Sequence, residues 1–117
     1  MGCMILLSIG LATVFGPVDE HNPVATLACP QRTSRGGVRM RAIEERDVLV
    51  AHPHIPCGTL VLVCVLRTGA CVVAPVADRG PRRAMVDLST GAARLLGWGR
   101  PGGFSGREAV ILAMVIQ

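Results

Sequence analysis

Short apolar runs, most of them rich in valine, are separated along the chain by turn-forming residues. These runs occupy residues 10–16, 48–51, 59–66, 70–76, 85–88 and 109–116, and Gly or Pro punctuates most of the stretches between them. β-branched side chains pack well on a pleated surface, and a short apolar run bounded by turn signals is typical of a strand. The pattern therefore predicts a mainly β domain.

One segment has the composition of a helix. Residues 89–96 contain a cluster of Ala and Leu, and Gly97 follows them at the position where a helix commonly ends. Either Asp87 or Ser89 can accept hydrogen bonds from the free N–H groups of the first turn. The sequence predicts a single short helix here and leaves the choice of cap open.

The remaining segments have no sustained periodicity. Residues 17–37 and 98–107 are rich in Gly, Pro and small polar residues and are predicted to be loops, whereas residues 38–47 form either a short helix or an irregular segment. Residues 1–9 are either a truncated leader or an extra strand. The folded domain is expected to span residues 10–117.

Size and charge narrow the class of protein. A chain of 117 residues has room for one core. Its net charge is +4, and arginine is its only basic residue besides histidine. A positive charge of this size suits contact with an anionic polymer. No basic stripe with interleaved aromatics is present, which argues against a nucleic-acid partner. The apolar stretch at residues 4–11 is too short to span a membrane, and nothing in the sequence decides the oligomeric state.

Five cysteines are many for a chain of this length. No CxxC motif occurs, and the three histidines have no carboxylate at ligand spacing, so neither a metal nor another cofactor is expected. Disulfides and an oxidising compartment are the better interpretation. Cys64 and Cys71 lie at similar distances from the turn 67–69, where Gly69 suits a tight hairpin, and they are the preferred pair among the alternatives that remain open.

Four segments together resemble a known family. They are GLATVFGP (10–17), AHPHIPCGT (51–59), VADRGP (76–81) and VDLSTGAARLLG (86–97). In this order they resemble the rare-lipoprotein-A-like branch of the double-psi β-barrels, whose more distant relatives are barwin and the expansins. The resemblance spans nearly the whole chain.

The resemblance implies both a fold and a function. The fold is all-β, a six-stranded double-psi barrel with one short helix. The function is that of a secreted or periplasmic lytic transglycosylase acting on peptidoglycan or a related polysaccharide. The alternative is a non-catalytic glycan-binding or structural barrel, such as a phage virion or tail component that contacts the host wall.

The same resemblance implies roles for three residues. Asp78 matches an acidic residue implicated in catalysis, and His52 matches a histidine of the same groove. Asp87 matches an aspartate that is catalytic or binding in expansin and endoglucanase relatives. The chain departs from the catalytic branch at Arg41, where that branch has a glutamate; a loop shift would bring one of the three carboxylates at 44, 45 and 47 to its place.

A simpler role stands beside each of these. Asp78 can act as general acid and base in glycan cleavage, or cap the turn that follows it. His52 can assist Asp78, or pin the loop after it. Asp87 can bind substrate, or cap the helix.

Three further residues are candidate substrate contacts. Arg79 can hold a muramyl carboxylate or pair with Asp87. Trp98 can stack on a sugar or anchor the end of the helix in the core. Asp19 follows the first strand and can either approach the groove or remain a solvated loop carboxylate.

Overall fold

The computed structural model describes residues 3–16, 27–32, 38–39 and 43–116. In chain order the elements are β1 (Cys3–Phe15), β2 (Gln31–Arg32), β3 (Val38–Arg39), β4 (Val50–Ala51), β5 (Leu60–Val65), β6 (Cys71–Asp78), β7 (Val86–Ser89), α1 (Thr90–Leu95) and β8 (Glu108–Ile116). In this part of the chain no helix has the length and apolar character needed to cross a bilayer.

Six strands close into a barrel in the order β1-β7-β4-β6-β5-β8. Neighbours β1 and β7 are parallel, as are β4 and β6, and the other four pairs are antiparallel. Strands β2 and β3 form a separate two-stranded sheet. The predicted all-β, six-stranded double-psi barrel with one short helix is confirmed.

The main differences from the predicted elements concern three segments. The first strand begins at Cys3 rather than residue 10, because β8 provides antiparallel partners back to that point. The predicted strand 48–51 shortens to Val50–Ala51, since only these two residues pair with β6 and β7. In the segment 38–47, the described residues form β3 and a turn at 45–46 instead of a helix, and residues 40–42 lie outside the described part.

The hairpin of β5 and β6 has the predicted turn and disulfide. Gly69 has φ +76°, a conformation that L side chains rarely adopt. Cys64 and Cys71 are direct Cα partners across the two strands, and their sulfur atoms are bonded. The second disulfide, Cys29–Cys57, links two segments that are 28 residues apart in sequence.

The barrel interior is filled by aliphatic side chains that alternate along the strands. In β5 the buried residues are Val61, Val63 and Val65, and β6 contributes Val72 and Val76 in the same way. This is the period of two expected of a strand with one face in a core. A smaller cluster outside the barrel contains Leu27, Ile43, Leu49 and Ala77.

The outside of the barrel is also apolar over several strands. Ile9 is 60% exposed and Val73 is 50% exposed, and each is a Cα partner of another aliphatic residue, Ile111 and Leu62 respectively. We call these four residues the outer wall. Because the opposite face of the same strands is the core, both faces of this part of the sheet are apolar.

Helix α1 is capped by Ser89, not by Asp87. The Ser89 Oγ accepts from the Ala92 N–H (3.2 Å) and from the Leu49 N–H (3.0 Å), and donates to the Asp47 carbonyl (2.6 Å). Ser89 therefore caps the helix and also holds the chain that enters β4. Asp87 lies inside β7, with its side chain bonded to another strand, so the predicted alternative of Asp87 as a cap is wrong.

Replacing the cysteines of the short bridge should weaken the fold without abolishing it. The Cys64→Ala/Cys71→Ala variant is expected to lose about 2 kcal/mol of unfolding free energy, because the bridge closes a short loop, whereas Cys29→Ala/Cys57→Ala should lose about 3.5 kcal/mol. Denaturant unfolding of both variants tests this ranking. A larger loss for the short bridge would contradict it.

Removing the Ser89 hydroxyl should cost more than a typical cap. Ser89→Ala leaves the Leu49 N–H and the Asp47 carbonyl without this partner, and we expect a loss of about 2–3 kcal/mol. The matched control is Ser105→Ala, an exposed serine whose hydroxyl also bonds to backbone, and it should cost less than about 1 kcal/mol. Equal losses in thermal unfolding would show that the link to β4 contributes nothing.

Candidate active site

Two carboxyl groups lie in one row across the barrel wall. Asp87 of β7 is a Cα partner of Thr13 in β1 and of Ala51 in β4, and Ala51 is also a Cα partner of Asp78 in β6. Adjacent strands are about 4.8 Å apart, so the Cα atoms of Asp78 and Asp87 are separated by roughly 10 Å. The registers of four strands thus place the two aspartates on either side of Ala51.

Asp78 is held at the end of β6 by backbone donors. Its Oδ1 accepts from the Ala28 and Arg79 N–H groups, each at 2.9 Å, and its own carbonyl accepts from the His52 N–H at 3.1 Å. A carboxyl oxygen has two lone pairs, so Oδ1 can accept from both N–H groups at once. The turn-capping role predicted for Asp78 is present here, and it leaves the carboxyl partly exposed.

Asp87 has a different environment. Its Oδ1 accepts a hydrogen bond from the Thr13 hydroxyl at 2.9 Å. Burial raises the pKa of Asp87 to about 6, against the lowering effect of the Thr13 hydrogen bond and with a further contribution from the negative charge of Asp78. The protonated form of Asp87 is therefore the major one below about pH 6.

His52 is fixed by the loop that follows it. Its Nδ1 accepts from the His54 N–H (3.1 Å) and from the Ile55 N–H (3.0 Å). Burial lowers the pKa of His52, and the nearby charges of His54 and Arg79 lower it further. These contacts assign a neutral imidazole with its proton on Nε2, because Nδ1 is used as an acceptor. The loop-pinning role predicted for His52 is present, and Nε2–H can still donate to a ligand.

Arg79 binds the same loop from the other side. Its guanidinium donates to the carbonyls of His52 (3.0 Å) and Ile55 (2.5 Å) and to the Cys57 Sγ (3.2 Å). The predicted ion pair between Arg79 and Asp87 does not form, because the guanidinium donates to three acceptors of the 52–57 loop instead. Its side chain nevertheless lies at the surface.

The Cys29–Cys57 disulfide joins the segments that carry these contacts. Ala28, the donor to Asp78, precedes Cys29, whose own N–H donates to the Ala77 carbonyl at 3.1 Å. Cys57 lies at the far end of the loop that begins with His52 and is also an acceptor for Arg79. The bridge therefore ties both flanks of Asp78 to each other.

The other predicted site residues are not brought into this row by the described contacts. Trp98 packs against the barrel core at the end of α1, in keeping with the predicted anchor role. Glu45 pairs with Arg94 of α1 and Glu44 with Arg46. Asp47 accepts from the Glu44 N–H at 2.7 Å. Asp19 and Arg41 lie outside the described residues.

Sequence reasoning missed two contributors to the site. Thr13 is 74 residues from Asp87 and Ala28 is 50 residues from Asp78. Thr13 lies in the segment GLATVFGP, which was assigned to a strand without a chemical role. Only the parallel register of β1 and β7 gives it one. Among the described residues, no group of three His, Cys, Asp or Glu side chains is arranged to hold a metal ion.

Comparison with known proteins gives one consistent result. No family model matches the chain. Three relatives named probable endolytic peptidoglycan transglycosylase RlpA do match. A Synechocystis protein is 39% identical over 90 residues, 75% of this chain, and an Aquifex aeolicus protein is 38% identical over 73 residues, 61% of it. A Nostoc protein is 53% identical over 49 residues, 40% of the chain. The chain belongs to the RlpA-like family.

The match covers a limited part of each relative. The aligned residues amount to 13% of the Nostoc protein, 24% of the Synechocystis protein and 31% of the Aquifex protein. The RlpA-like barrel therefore corresponds to less than a third of the length of these relatives.

The buried Asp87 should make the stability of the RlpA-like barrel depend on pH. Its folded-state pKa of about 6 lies above the ordinary value of 3.8, so the stability that protonation provides is present below about pH 4 and is lost as pH rises through 6. The loss is at most about 3 kcal/mol. Asp87→Asn carries no titratable group and should gain stability relative to wild type between pH 4 and pH 8.

Denaturant unfolding of both proteins at pH 4, 6 and 8 measures this difference. The control is Glu45→Gln, which removes an exposed carboxylate and should leave the difference from wild type nearly constant over the same range. A constant difference for Asp87→Asn as well would show that folding does not raise the pKa of this carboxyl.

Proposed function

We propose that this chain cleaves the glycan strands of peptidoglycan by lytic transglycosylase-type chemistry. The observation that carries the proposal is the pair of carboxyl groups, Asp78 and Asp87, placed on either side of Ala51 in a barrel of the RlpA-like family. The three relatives named as probable endolytic peptidoglycan transglycosylases support the same reaction class.

The chemistry requires two proton transfers. A proton must reach the glycosidic oxygen as its bond breaks, and a hydroxyl of the same sugar must lose a proton as it closes onto the anomeric carbon. Asp78 is the proposed general acid and base, since its carboxyl is fixed at the end of β6 and remains accessible. His52 assists as a neutral donor, because its Nε2–H can bind a sugar hydroxyl next to Asp78.

Substrate contacts are proposed around this pair. Arg79 lies at the surface beside Asp78 and provides the positive charge that a muramyl carboxylate requires. Asp87 lies across Ala51 from Asp78 and is proposed as a further contact with the substrate. Contacts of Trp98 and Asp19 with the glycan stay predictions from the sequence.

The two disulfides favour an extracellular or periplasmic location, because such bonds persist in oxidising compartments. A wall polymer is accessible there. The rival function is a glycan-binding or structural barrel without catalysis, as in a phage particle. It would use the same residues, and the absence of released muropeptides would distinguish it from the enzyme.

Asp78→Asn should abolish most of the activity while keeping the fold. The amide retains an oxygen that can accept from the Ala28 and Arg79 N–H groups, but it cannot exchange a proton. Loss of proton transfer is expected to lower the rate of muropeptide release from purified sacculi by about 100- to 10,000-fold. Glu108→Gln, a carboxylate of β8 that is paired with Arg67 and lies outside the row of Asp78 and Asp87, is the matched control and should release anhydro-muropeptides at the wild-type rate.

Two outcomes would contradict the proposal. If Asp78→Asn unfolds early yet keeps its activity per folded molecule, Asp78 is structural. If the wild-type protein binds sacculi but releases nothing between acidic and neutral pH, the binding-module function stands instead.

A further inference from the structure

The Cys29–Cys57 disulfide is a covalent link between the two segments that flank Asp78. The Ala28 N–H donates to Asp78 Oδ1, and Ala28 directly precedes Cys29. Cys57 ends the loop that begins with His52, and the His52 N–H donates to the Asp78 carbonyl. One sulfur–sulfur bond thus connects a donor to the side chain of Asp78 with a donor to its backbone.

The two sulfur atoms of this bridge differ in accessibility. Cys29 is 2% exposed, whereas Cys57 lies at the surface. A cavity of about 190 Å³ borders the bridge, and its lining includes both cysteines, Pro30 and Pro75. A nucleophile that arrives from solvent therefore reaches the Cys57 Sγ before the Cys29 Sγ.

A positive charge lies beside the accessible sulfur. Arg79 Nη2 donates to the Cys57 Sγ at 3.2 Å, and the side chain of Arg79 is exposed. The attacking species in disulfide exchange is a thiolate, which a guanidinium attracts and stabilises. At the other bridge, the Cys71 Sγ lies 3.4 Å from the carbonyl oxygen of Gly69, whose partial negative charge has the opposite effect.

We propose that the Cys29–Cys57 bridge is a redox-modification site, and that its reduction by a dithiol lowers the activity of the site around Asp78. This inference rests on the proposed glycan cleavage, whose rate is the quantity that the bridge controls. The Cys57 Sγ is the atom attacked, Arg79 attracts the thiolate, and the segment that carries Ala28 is released.

The exchange moves two electrons from the dithiol to the bridge. One thiolate of the dithiol attacks the Cys57 Sγ, the bond between the two cysteine sulfurs breaks, and its electron pair leaves on the Cys29 Sγ. The second sulfur of the reductant, as a thiolate, then attacks the first one in the mixed disulfide and releases Cys57. The reductant ends as a cyclic disulfide, and its two thiol protons pass through solvent to the two cysteines.

The two bridges differ in what holds their cysteines after reduction. Cys64 and Cys71 are direct Cα partners in the β5–β6 pair, so the reduced sulfurs stay opposite each other and readily form the bond again. Cys29 and Cys57 are 28 residues apart, and neither lies in a strand of the barrel. Reduction therefore opens the Cys29–Cys57 bridge at a lower dithiol concentration and separates the two segments that it joined.

Titration of the oxidised protein with dithiothreitol tests the inference. Alkylation of free thiols and peptide mapping should show Cys29 and Cys57 modified at a lower dithiothreitol concentration than Cys64 and Cys71. Over the same range, the rate of anhydro-muropeptide release should fall about 10-fold or more, because a catalytic group that moves by about 1 Å loses its alignment. The rate should recover after reoxidation.

The matched control is Cys64→Ala/Cys71→Ala, which lacks the other bridge and keeps the one beside Asp78. It should lose and regain activity with dithiothreitol as the wild type does. Cys29→Ala/Cys57→Ala should have the low activity of the reduced wild type, and dithiothreitol should not change it. Because Arg79 attracts the thiolate, added salt should slow the reduction of the Cys29–Cys57 bridge more than that of the other bridge.

Amide hydrogen exchange provides a readout without turnover. On reduction, the Ala28 and His52 N–H groups that donate to Asp78 should exchange faster, whereas those that pair β5 with β8 should stay protected. Faster exchange throughout the barrel would show that the bridge acts through global stability, and would overturn the local control proposed for it.

The outcomes distinguish this inference from the proposed function. If the oxidised wild type releases no muropeptides, the cleavage is overturned, and the exchange data alone decide whether reduction releases the Ala28 segment. An active wild type that keeps its rate after Cys29 and Cys57 have been reduced and alkylated overturns the redox control. Alkylation of Cys64 and Cys71 before the other two cysteines overturns the assignment of the site.

Discussion

The barrel and its site both depend on the pairing of one very short strand. β4 consists of Val50 and Ala51, yet it closes the gap between β6 and β7, parallel to one and antiparallel to the other. Backbone hydrogen bonds on both sides extend this short contact, from His52 N–H to Asp78 O and from Ser89 N–H to Leu49 O. Without β4 the wall would open between the strands that carry Asp78 and Asp87, and their fixed separation would be lost.

The same closure has an energetic consequence for the site. A carboxyl group placed in the wall of an apolar barrel is partly removed from water, which disfavours its charge. The fold tolerates this loss of hydration because it affects the carboxyl group of Asp87 alone. The valine-rich interior and the two disulfides stabilise the remainder of the barrel. The buried carboxyl of Asp87 therefore reduces stability at neutral pH, where most of it is charged.

The features that could be predicted from the sequence were those that depend on residues close together in the chain. Alternating valines placed β5 and β6, and Gly69 placed the turn and hence the Cys64–Cys71 pair. The motif around Asp78 placed a carboxyl at a strand end. Long-range register was not predictable: Thr13 reaches Asp87 only because β1 and β7 run parallel. The helix cap was ambiguous for a related reason, since Asp87 and Ser89 are two residues apart and only the end of β7 decides between them.

The apolar outer wall changes what the Cys64–Cys71 bridge does for the fold. In most sheets a slip of one residue is prevented because it would turn polar side chains inward and apolar ones outward. Along β5 and β6 that safeguard is weak, because Leu62 and Val73 on the outside are as apolar as Val61 and Val72 within. A covalent bond between directly opposed residues permits a single alignment of the two strands. The bridge thus selects among near-equivalent pairings and supplies the specificity that polarity supplies elsewhere.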